Sequence, residues 1–248
     1  MIMRPSRRRL AGFAALLVLG CALATVVCSA VELTAIYFDR FEDEGSGWDV
    51  EHGDTGSVYY KNGYYIARIT RANYMWWSWA PYTEIPGNFI AEMNGFASFN
   101  RGYCNYGIIC GLDNQNFLVF WITDAGWYRV ASMVDGTWKS DPIRWTQSSA
   151  VNTGTSSRNR LRVTVDGSTA EFSINGRTVG DIDLGIAPDA GPFASNAGTI
   201  SLGLFDTWKI GLAGGAFDRT PVEIKFKEFA LYALPDPEES VAPTIDIP

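Results

Sequence analysis

Tryptophan is the residue type in this sequence whose side chain has the clearest chemical use. The 248 residues include nine Trp and eleven Tyr, and aromatic residues make up 14% of the chain. An exposed indole can cover the C–H face of a sugar ring, while nearby amide and guanidinium groups hydrogen-bond the hydroxyls. On this chemistry we predict the following ligand-contacting residues: Trp76, Trp79, Asn116, Trp127, Arg129 and Trp138.

Alternation in segment 74–79 predicts which of its rings share a face. In a strand, Trp77 and Trp79 lie on one side, and Trp76 lies on the other side with Tyr74. Both sides cannot be core if one surface of the sheet is solvated, so at least one ring in the domain is expected to be exposed. The alternative for any single indole, burial between two sheets, stays open.

Carboxylates offer a second chemistry, glycoside cleavage, which needs two acids directed into one groove. Asp181 and Asp183 have the spacing of alternate strand positions, but a loop-like context without a third acid predicts a solvated turn. Glu92 is a lone acid on a predicted strand. The single histidine, His52, lies in an acidic loop, and nothing around it indicates a zinc cluster or a Ser-His-Asp triad.

Calcium prefers hard oxygen ligands, and the sequence has acids near both ends of the expected domain. Asp39 is followed by Glu42, Asp43 and Glu44, while Asp206 and Asp218 come late in the chain. If the first and last strands pair, these acids approach one another. We therefore consider a structural calcium ion with Asp39 and Asp218 among its ligands; the alternative, acids scattered over the surface, stays open.

The elements that position these residues are short alternating segments separated by turn dipeptides. Asp135-Gly136, Asp166-Gly167 and Asn175-Gly176 each lie between two such runs and tolerate the positive φ angles of two-residue hairpins. Because no segment has an amphipathic helical stripe, the predicted fold is an all-β, two-sheet antiparallel sandwich. Predicted strands are 35–38, 57–60, 64–69, 75–79, 89–99, 107–112, 117–122, 127–134, 143–145, 160–165, 170–174, 199–205 and 222–232.

Two departures from this pattern are expected. Segments 180–198 and 206–219 are rich in Gly and Ala and poor in periodicity, so we predict loops at one end of the sandwich. The alternation of the last strand slips at Glu228-Phe229, which predicts a bulge there.

Three regions are predicted along the chain: an export segment (1–30), a sandwich domain (31–234) and a disordered, acidic, proline-rich tail (235–248). The export segment has an arginine-rich start followed by the apolar run 10–31. Cleavage before Val31, lipidation at Cys21 and retention as a membrane anchor all remain open, as does a twin-arginine route. We expect an exported protein, secreted or held at the cell surface, whose only membrane contact is through this segment.

Charge and cysteine content limit the partners and the redox chemistry. The export segment removes four arginines and no acid, which leaves 16 basic against 27 acidic residues and a net charge of −11. This balance argues against nucleic acid, whose binders present a basic face. Cys104 and Cys110 would lie about 20 Å apart on one straight strand, so a disulfide requires a turn at Asn105; the alternative is burial in the core.

The sequence carries an ordered series of short motifs: Phe38-Asp39-Arg40-Phe41, Gly47-Trp48, Tyr106-Gly107-Ile108-Ile109, Asp113-Asn114-Gln115-Asn116-Phe117, Gly126-Trp127-Tyr128, Asp135-Gly136-Thr137-Trp138, Ala150-Val151-Asn152-Thr153-Gly154, Asn159-Arg160-Leu161, Asp166-Gly167 and Ile174-Asn175-Gly176. The order of these motifs resembles the concanavalin A-like lectin/glucanase superfamily, and more narrowly its bacterial laminin-G-like and 3-keto-disaccharide-hydrolase-like domains. The resemblance implies a jelly roll with one concave sheet and a ligand groove, in a superfamily of sugar lectins, glucanases and non-catalytic modules.

Retaining glucanases of this superfamily carry a Glu-x-Asp-x-x-Glu-like pattern, which this sequence lacks. The predicted function is therefore an exported carbohydrate-binding, lectin-like module without catalysis of its own. Two alternatives remain: a glycoside-processing enzyme of the 3-keto-disaccharide hydrolase type, and a structural or adhesive surface protein.

Overall fold

The computed structural model describes residues 33–99, 102–154, 156–184 and 208–234. The predicted export segment, the predicted strand 199–205, Asp206 and the predicted tail 235–248 lie outside these residues. In the part of the chain that is described, no helix is long and apolar enough to cross a membrane.

Alternating apolar runs form many of the strands among the described residues, and in these strands at least one side is buried. The strands are β1 Thr34–Asp39, β2 Glu51–Gly53, β3 Gly56–Tyr60, β4 Tyr65–Ile69, β5 Met75–Trp79, β6 Phe89–Phe99, β7 Cys104–Gly111, β8 Phe117–Ile122, β9 Trp127–Val134, β10 Thr137–Trp138, β11 Ile143–Gln147, β12 Asn159–Asp166, β13 Thr169–Ile174, β14 Arg177–Asp183, β15 Lys209–Ala216 and β16 Val222–Ala233.

The strands form two antiparallel sheets, which confirms the predicted fold class. The nine-stranded sheet, here the back sheet, has the order β14-β13-β12-β6-β16-β4-β3-β2, with β1 paired to β16. The seven-stranded sheet, here the front sheet, has the order β10-β9-β8-β7-β15-β5, with β11 paired to β9. The main core lies between them and contains inward residues of both, among them Phe89, Phe120, Phe172 and Phe229.

Turn chemistry confirms the predicted hairpins at two of the three dipeptides. Asp135 and Gly136 have φ angles of 51° and 68°, and Asn175 and Gly176 have 51° and 79°, as two-residue hairpins with right-handed twist require. At the third, Asp166 still pairs with Thr169, so the loop is Gly167-Ser168, one residue later than predicted.

The predictions of loops at 180–198 and 206–219 are wrong where these segments contain strand residues. Segment 206–219 contains β15, a Gly- and Ala-rich strand that pairs with β7 on one side and β5 on the other. Pairing on both sides supplies the stability that its low β propensity lacks. Segment 180–198 begins with the end of β14, so Asp181 and Asp183 lie on an edge strand and not in a solvated turn.

The first and last strands pair, as considered for the two ends of the domain, with Asp39 opposite Phe229. The register of the last strand shifts between Phe226 and Glu228, which confirms the predicted bulge.

The two cysteines of the domain are buried in the core. Cys104 and Cys110 lie at opposite ends of β7, and both are inward-facing free thiols. Burial raises the pKa of each thiol, as expected for inert core residues.

Candidate ligand-binding site

The outward surface of the front sheet is aromatic. On β8, Leu118 and Phe120 point into the main core, while Val119 and Trp121 belong to a second cluster on the other side of the sheet. We call this cluster, with the side chains packed against it, the aromatic face. Its members are Met75, Trp77, Trp79, Ile109, Phe117, Val119, Trp121, Ala131, Met133, Trp145 and Ala213.

Strand order places small residues between the large rings of the aromatic face. Trp77 on β5 pairs with Ala213 on β15, and Ala213 pairs with Gly107 on β7. Gly107 then pairs with Trp121 on β8, and Trp121 pairs with Arg129 on β9. Gly107 and Ala213 therefore separate the indole of Trp77 on β5 from that of Trp121 on β8 in this row.

The outward surface of the back sheet is charged. Its Glu92 is buried and forms ion pairs with both Arg160 and Arg162, and Glu223 pairs with Lys225 at 3.5 Å. The hydrogen bond to Glu92 raises the pKa of Arg160, so this guanidinium stays charged. Both carboxylate oxygens of Glu92 are already paired with guanidinium groups and are not free to contact a ligand. The aromatic face is therefore the better candidate for ligand binding.

An open cleft lies where the aromatic face meets the loop before β9 and the loop after β11. One part has a volume of about 280 Å³ and contains Trp127, Trp145 and Phe217. The ring centroids of Trp145 and Phe217 are 6.0 Å apart, and the Arg129 guanidinium lies 5.5 Å from the Trp145 ring centroid. The other part, of about 550 Å³, shares Ala125 and is lined by Gly126, Gln147, Ser148, Ser149, Val151 and Thr153. We call the two parts the loop-edge cleft.

A buried amide network supports the polar side of the loop-edge cleft. Asn159 is fully buried, and its Oδ1 accepts hydrogen bonds from the Asn152 backbone N–H (2.7 Å) and from Asn175 Nδ2 (2.8 Å). Its Nδ2 donates to Tyr106 OH (3.1 Å), and Asn175 Nδ2 also donates to the Ala150 carbonyl (2.8 Å). The network therefore positions the segment that carries Val151 and Thr153.

A second cleft, of about 350 Å³, runs beside β5, the edge strand of the front sheet. Asn114 Oδ1 accepts hydrogen bonds from the indole N–H groups of both Trp77 (3.2 Å) and Trp79 (2.9 Å). Asp49 and Glu51 bring carboxylates to the same cleft. We call it the edge-strand cleft, and its lining residues are Asp49, Glu51, Thr55, Tyr74, Met75, Trp76, Trp77, Trp79 and Asn114.

Three of the four predicted indoles line one of the two clefts. Trp127 and Trp138 are 40% and 45% exposed, which confirms that at least one ring is exposed. Trp127 lines the loop-edge cleft, while Trp138 lines neither cleft and packs edge-on against Phe117. Trp79 lines the edge-strand cleft. Trp76 lines it too, although Trp76 also packs against the main core and donates to Thr55 Oγ1 at 3.1 Å.

The two polar residues of the prediction have structural partners. Arg129 lies on the aromatic side of β9 and forms an ion pair with Asp141 at 3.1 Å. Asn116 is buried, donates from Nδ2 to Asp113, and accepts the backbone N–H of Asp135 at 3.0 Å. Asn116 therefore joins two turns and lines neither cleft.

The clefts also contain Phe217, Trp145 and Asn114, which the sequence prediction does not include. Phe217 follows β15, a segment predicted to be a loop. Trp145 reaches Phe217 only because β15 lies within the front sheet. Asn114 belongs to a run of turn-forming residues, which indicated a turn but not that its side chain would anchor two indoles.

Removing the Asp113 carboxylate is expected to loosen the turn that presents Asn114. Burial alone would raise the pKa of Asp113, but hydrogen bonds from the Gln115 amide and from Asn116 lower this pKa below its ordinary value of 3.8. The stabilisation that these hydrogen bonds give the folded state is therefore complete at a pH above the pKa of Asp113 in the unfolded chain. It is lost as the pH falls through the lower pKa of Asp113 in the folded protein. Asp113→Asn should therefore lower the unfolding temperature at neutral pH and converge with the native protein in acid.

Unfolding temperatures measured from neutral pH into acid test this expectation, with Asp135→Asn as the control. Asp135 is exposed at a positive φ that asparagine also tolerates. A difference between Asp113→Asn and the native protein that persists in acid would contradict the assignment.

The predicted calcium ligands do not fit a metal site. The Asp39 carboxylate is buried and accepts hydrogen bonds from the Phe41 N–H (2.7 Å), Ser46 Oγ (2.6 Å), Trp48 Nε1 (3.0 Å) and Tyr37 OH (3.3 Å). Asp218 is exposed beyond the end of β15. Among the described residues, no group of three or more His, Cys, Asp or Glu could hold a metal ion. Calcium binding stays a prediction without a ligand set.

Comparison with known proteins identifies the fold. No protein-family model and no curated protein matches the sequence. Among solved structures, the carbohydrate-binding module CBM66 from Bacillus subtilis is 12% identical, with a TM-score of 0.53 over 76% of this chain and 96% of that one. A Bacillus licheniformis beta-glucanase is 11% identical, with a TM-score of 0.52 over 80% and 98% of the two chains.

A third structure is the kappa-carrageenase from Pseudoalteromonas carrageenovora in complex with an oligotetrasaccharide, 9% identical, with a TM-score of 0.55 over 85% and 99% of the chains. At such identities the likeness establishes the fold alone. The chain has a concanavalin A-like jelly-roll fold, as its motifs predicted.

Proposed function

We propose that this protein is an exported carbohydrate-binding module that holds a glycan in the loop-edge cleft without cleaving it. The observation that carries the proposal is the exposed indole of Trp127 beside a row of neutral polar side chains. Trp127 and Gln147 are direct partners on β9 and β11, so the strand pairing brings the stacking surface and the polar row together.

The chemistry of the loop-edge cleft suits a neutral sugar. An indole covers the C–H face of a sugar ring, and hydroxyl and amide groups exchange hydrogen bonds with its hydroxyls. Gln147, Ser149 and Thr153 are exposed and provide both donors and acceptors. Among the described residues, those that line this cleft include no charged side chain.

The solved structures of the same fold support a carbohydrate as the ligand. They include a carbohydrate-binding module and a carrageenase in complex with an oligotetrasaccharide. This jelly roll therefore accommodates glycans in proteins of very different sequence.

Glycoside cleavage is the second candidate function. Its favourable observation is that Asp49 and Glu51 line one cleft together. However, a general acid in a glycosidase is a carboxyl that burial keeps protonated, whereas both of these residues are exposed. Within the described strands of the front sheet, the outward positions carry no carboxylate. Release of reducing ends from a glycan bound by the protein would favour this second candidate.

Replacement of Trp127 by alanine tests the proposal on a broad panel of neutral glycans. We expect the native protein to bind at least one of them and Trp127→Ala to bind it at least tenfold more weakly, a loss of about 1.4 kcal/mol, because the stacking surface is removed. Isothermal titration calorimetry gives the affinities, and thermal unfolding checks the fold.

Phe38→Ala is the matched control, because Phe38 is an equally exposed ring on β1 of the back sheet. No binding of the native protein to any glycan would refute the proposal. Unchanged affinity of Trp127→Ala would place the site elsewhere.

A further inference from the structure

We infer that the edge-strand cleft binds the ammonium group of an amine-bearing sugar. This inference rests on the proposed function and names a ligand class that the loop-edge cleft does not select. Two carboxylates and the indoles of Trp77 and Trp79 line one cleft of about 350 Å³, at the small end of the usual range for ligand pockets.

The carboxylates of the edge-strand cleft form no ion pair among the described residues. Neither Asp49 nor Glu51 pairs with a basic side chain within the described part of the chain, whereas Glu92, Glu223 and Asp141 each do. Asp49 Oδ2 instead accepts a hydrogen bond from Ser78 Oγ at 3.2 Å, and Ser78 is buried, so this carboxylate is held at the cleft wall. The two carboxylates of the cleft are therefore available to pair with a cationic ligand.

The indoles complete a surface suited to a cation. Because Asn114 accepts both indole N–H groups, Trp77 and Trp79 offer their rings to a ligand but no free hydrogen-bond donor. The π face of an indole attracts cations, most strongly where water is partly excluded. Arg71 already uses Tyr74, another ring of this cleft, in the same way, with its guanidinium 4.6 Å from the ring centroid.

A sugar ring that carries an ammonium group is complementary to both the carboxylates and the indoles of the edge-strand cleft. The charge would interact with Asp49 and Glu51, while the C–H face of the sugar ring would cover an indole. The N-acetylated form of the same sugar keeps the ring and the hydroxyls but loses the charge. It would therefore gain only the stacking contribution.

The test compares two probes that differ at the amine nitrogen: a glucosamine oligosaccharide with free amines and the same oligosaccharide fully N-acetylated, which carries no charge. We expect the native protein to bind the free-amine form at least tenfold more tightly at a mildly acidic pH at which its amines are protonated. Glu51→Gln, which keeps the shape of the side chain, should remove most of this preference, and Asp49→Asn should act in the same direction.

Glu171→Gln is the matched control, because Glu171 is an exposed acid on β13 of the back sheet, outside the cleft. Equal binding of the two probes, or an equal loss of preference in Glu171→Gln and Glu51→Gln, would overturn the inference. In either case, Trp127-dependent binding of neutral glycans would leave the proposed function intact. Thermal unfolding of each variant confirms that the protein is folded.

Discussion

Gly107→Ala is expected to destabilise the domain by about 3 kcal/mol or more, at the upper end of what overpacking usually costs. A Cβ at this position would lie 1.7 Å from the Phe120 carbonyl oxygen and 2.9 Å from its carbon. Both atoms belong to the backbone of β8, so no side-chain rotation relieves the clash. The two central strands of the front sheet would have to separate and lose ladder hydrogen bonds.

Thermal unfolding measures this effect, which should lower the Tm by roughly 6–12 °C for a domain of this size. Gly87→Ala is the matched control, because its Cβ would meet no heavy atom within 4 Å. If Gly107→Ala and Gly87→Ala unfold at the same temperature, the close approach of β7 and β8 at Gly107 is not required for stability. Should Gly107→Ala fail to accumulate as folded protein, Gly107→Ser and the control can be compared by their soluble yields.

Asn159→Ala is expected to cost about 3–5 kcal/mol, because several polar groups lose a hydrogen bond and each polar group left buried without a partner costs about 1–3 kcal/mol. The Asn152 N–H and Tyr106 OH would lose the bond to this side chain, and Asn175 Nδ2 would keep only the Ala150 carbonyl. The substitution should also weaken glycan binding, since the same network positions the polar wall of the loop-edge cleft. Urea unfolding and glycan titration measure the two effects.

Asn152→Ala is the control for the network, because that exposed side chain makes a single hydrogen bond, to the Arg158 carbonyl. A double-mutant cycle between Asn159→Ala and Tyr106→Phe gives the coupling of the two buried groups. A loss below about 1 kcal/mol in Asn159→Ala would mean that water replaces the missing amide. The network would then contribute little to the cleft.

The local features of the fold were readable from local patterns. Asn175-Gly176 and Asp135-Gly136 form the predicted hairpins because only a few residue types tolerate two successive positive φ angles. Trp77 and Trp79 share a face because side chains alternate along any strand. By contrast, β15 was overlooked, since a Gly- and Ala-rich segment has no alternation of its own to reveal it.

The candidate site was predicted only in part, for the same reason. Trp127, one of the predicted ligand-contacting residues, is exposed, but its neighbour Phe217 comes from a segment 90 residues further along the chain. Asn116 is predicted to contact a ligand, yet it joins the turn before β8, through Asp113, to the turn after β9, through Asp135. The proximity of Trp127 to Phe217 and the contact of Asn116 with Asp135 join segments that are distant in the sequence.

The sequence by itself determined an all-β sandwich, most of its hairpins, the sides on which its indoles lie, and the lack of a paired-acid glucanase motif. These follow from backbone sterics and from alternation, which act over a few residues. Only the tertiary structure decided that β15 lies between β7 and β5, and that Asp49 and Glu51 meet Trp77 and Trp79 in one cleft. Contacts between distant segments form through packing of the whole core, which no local pattern specifies.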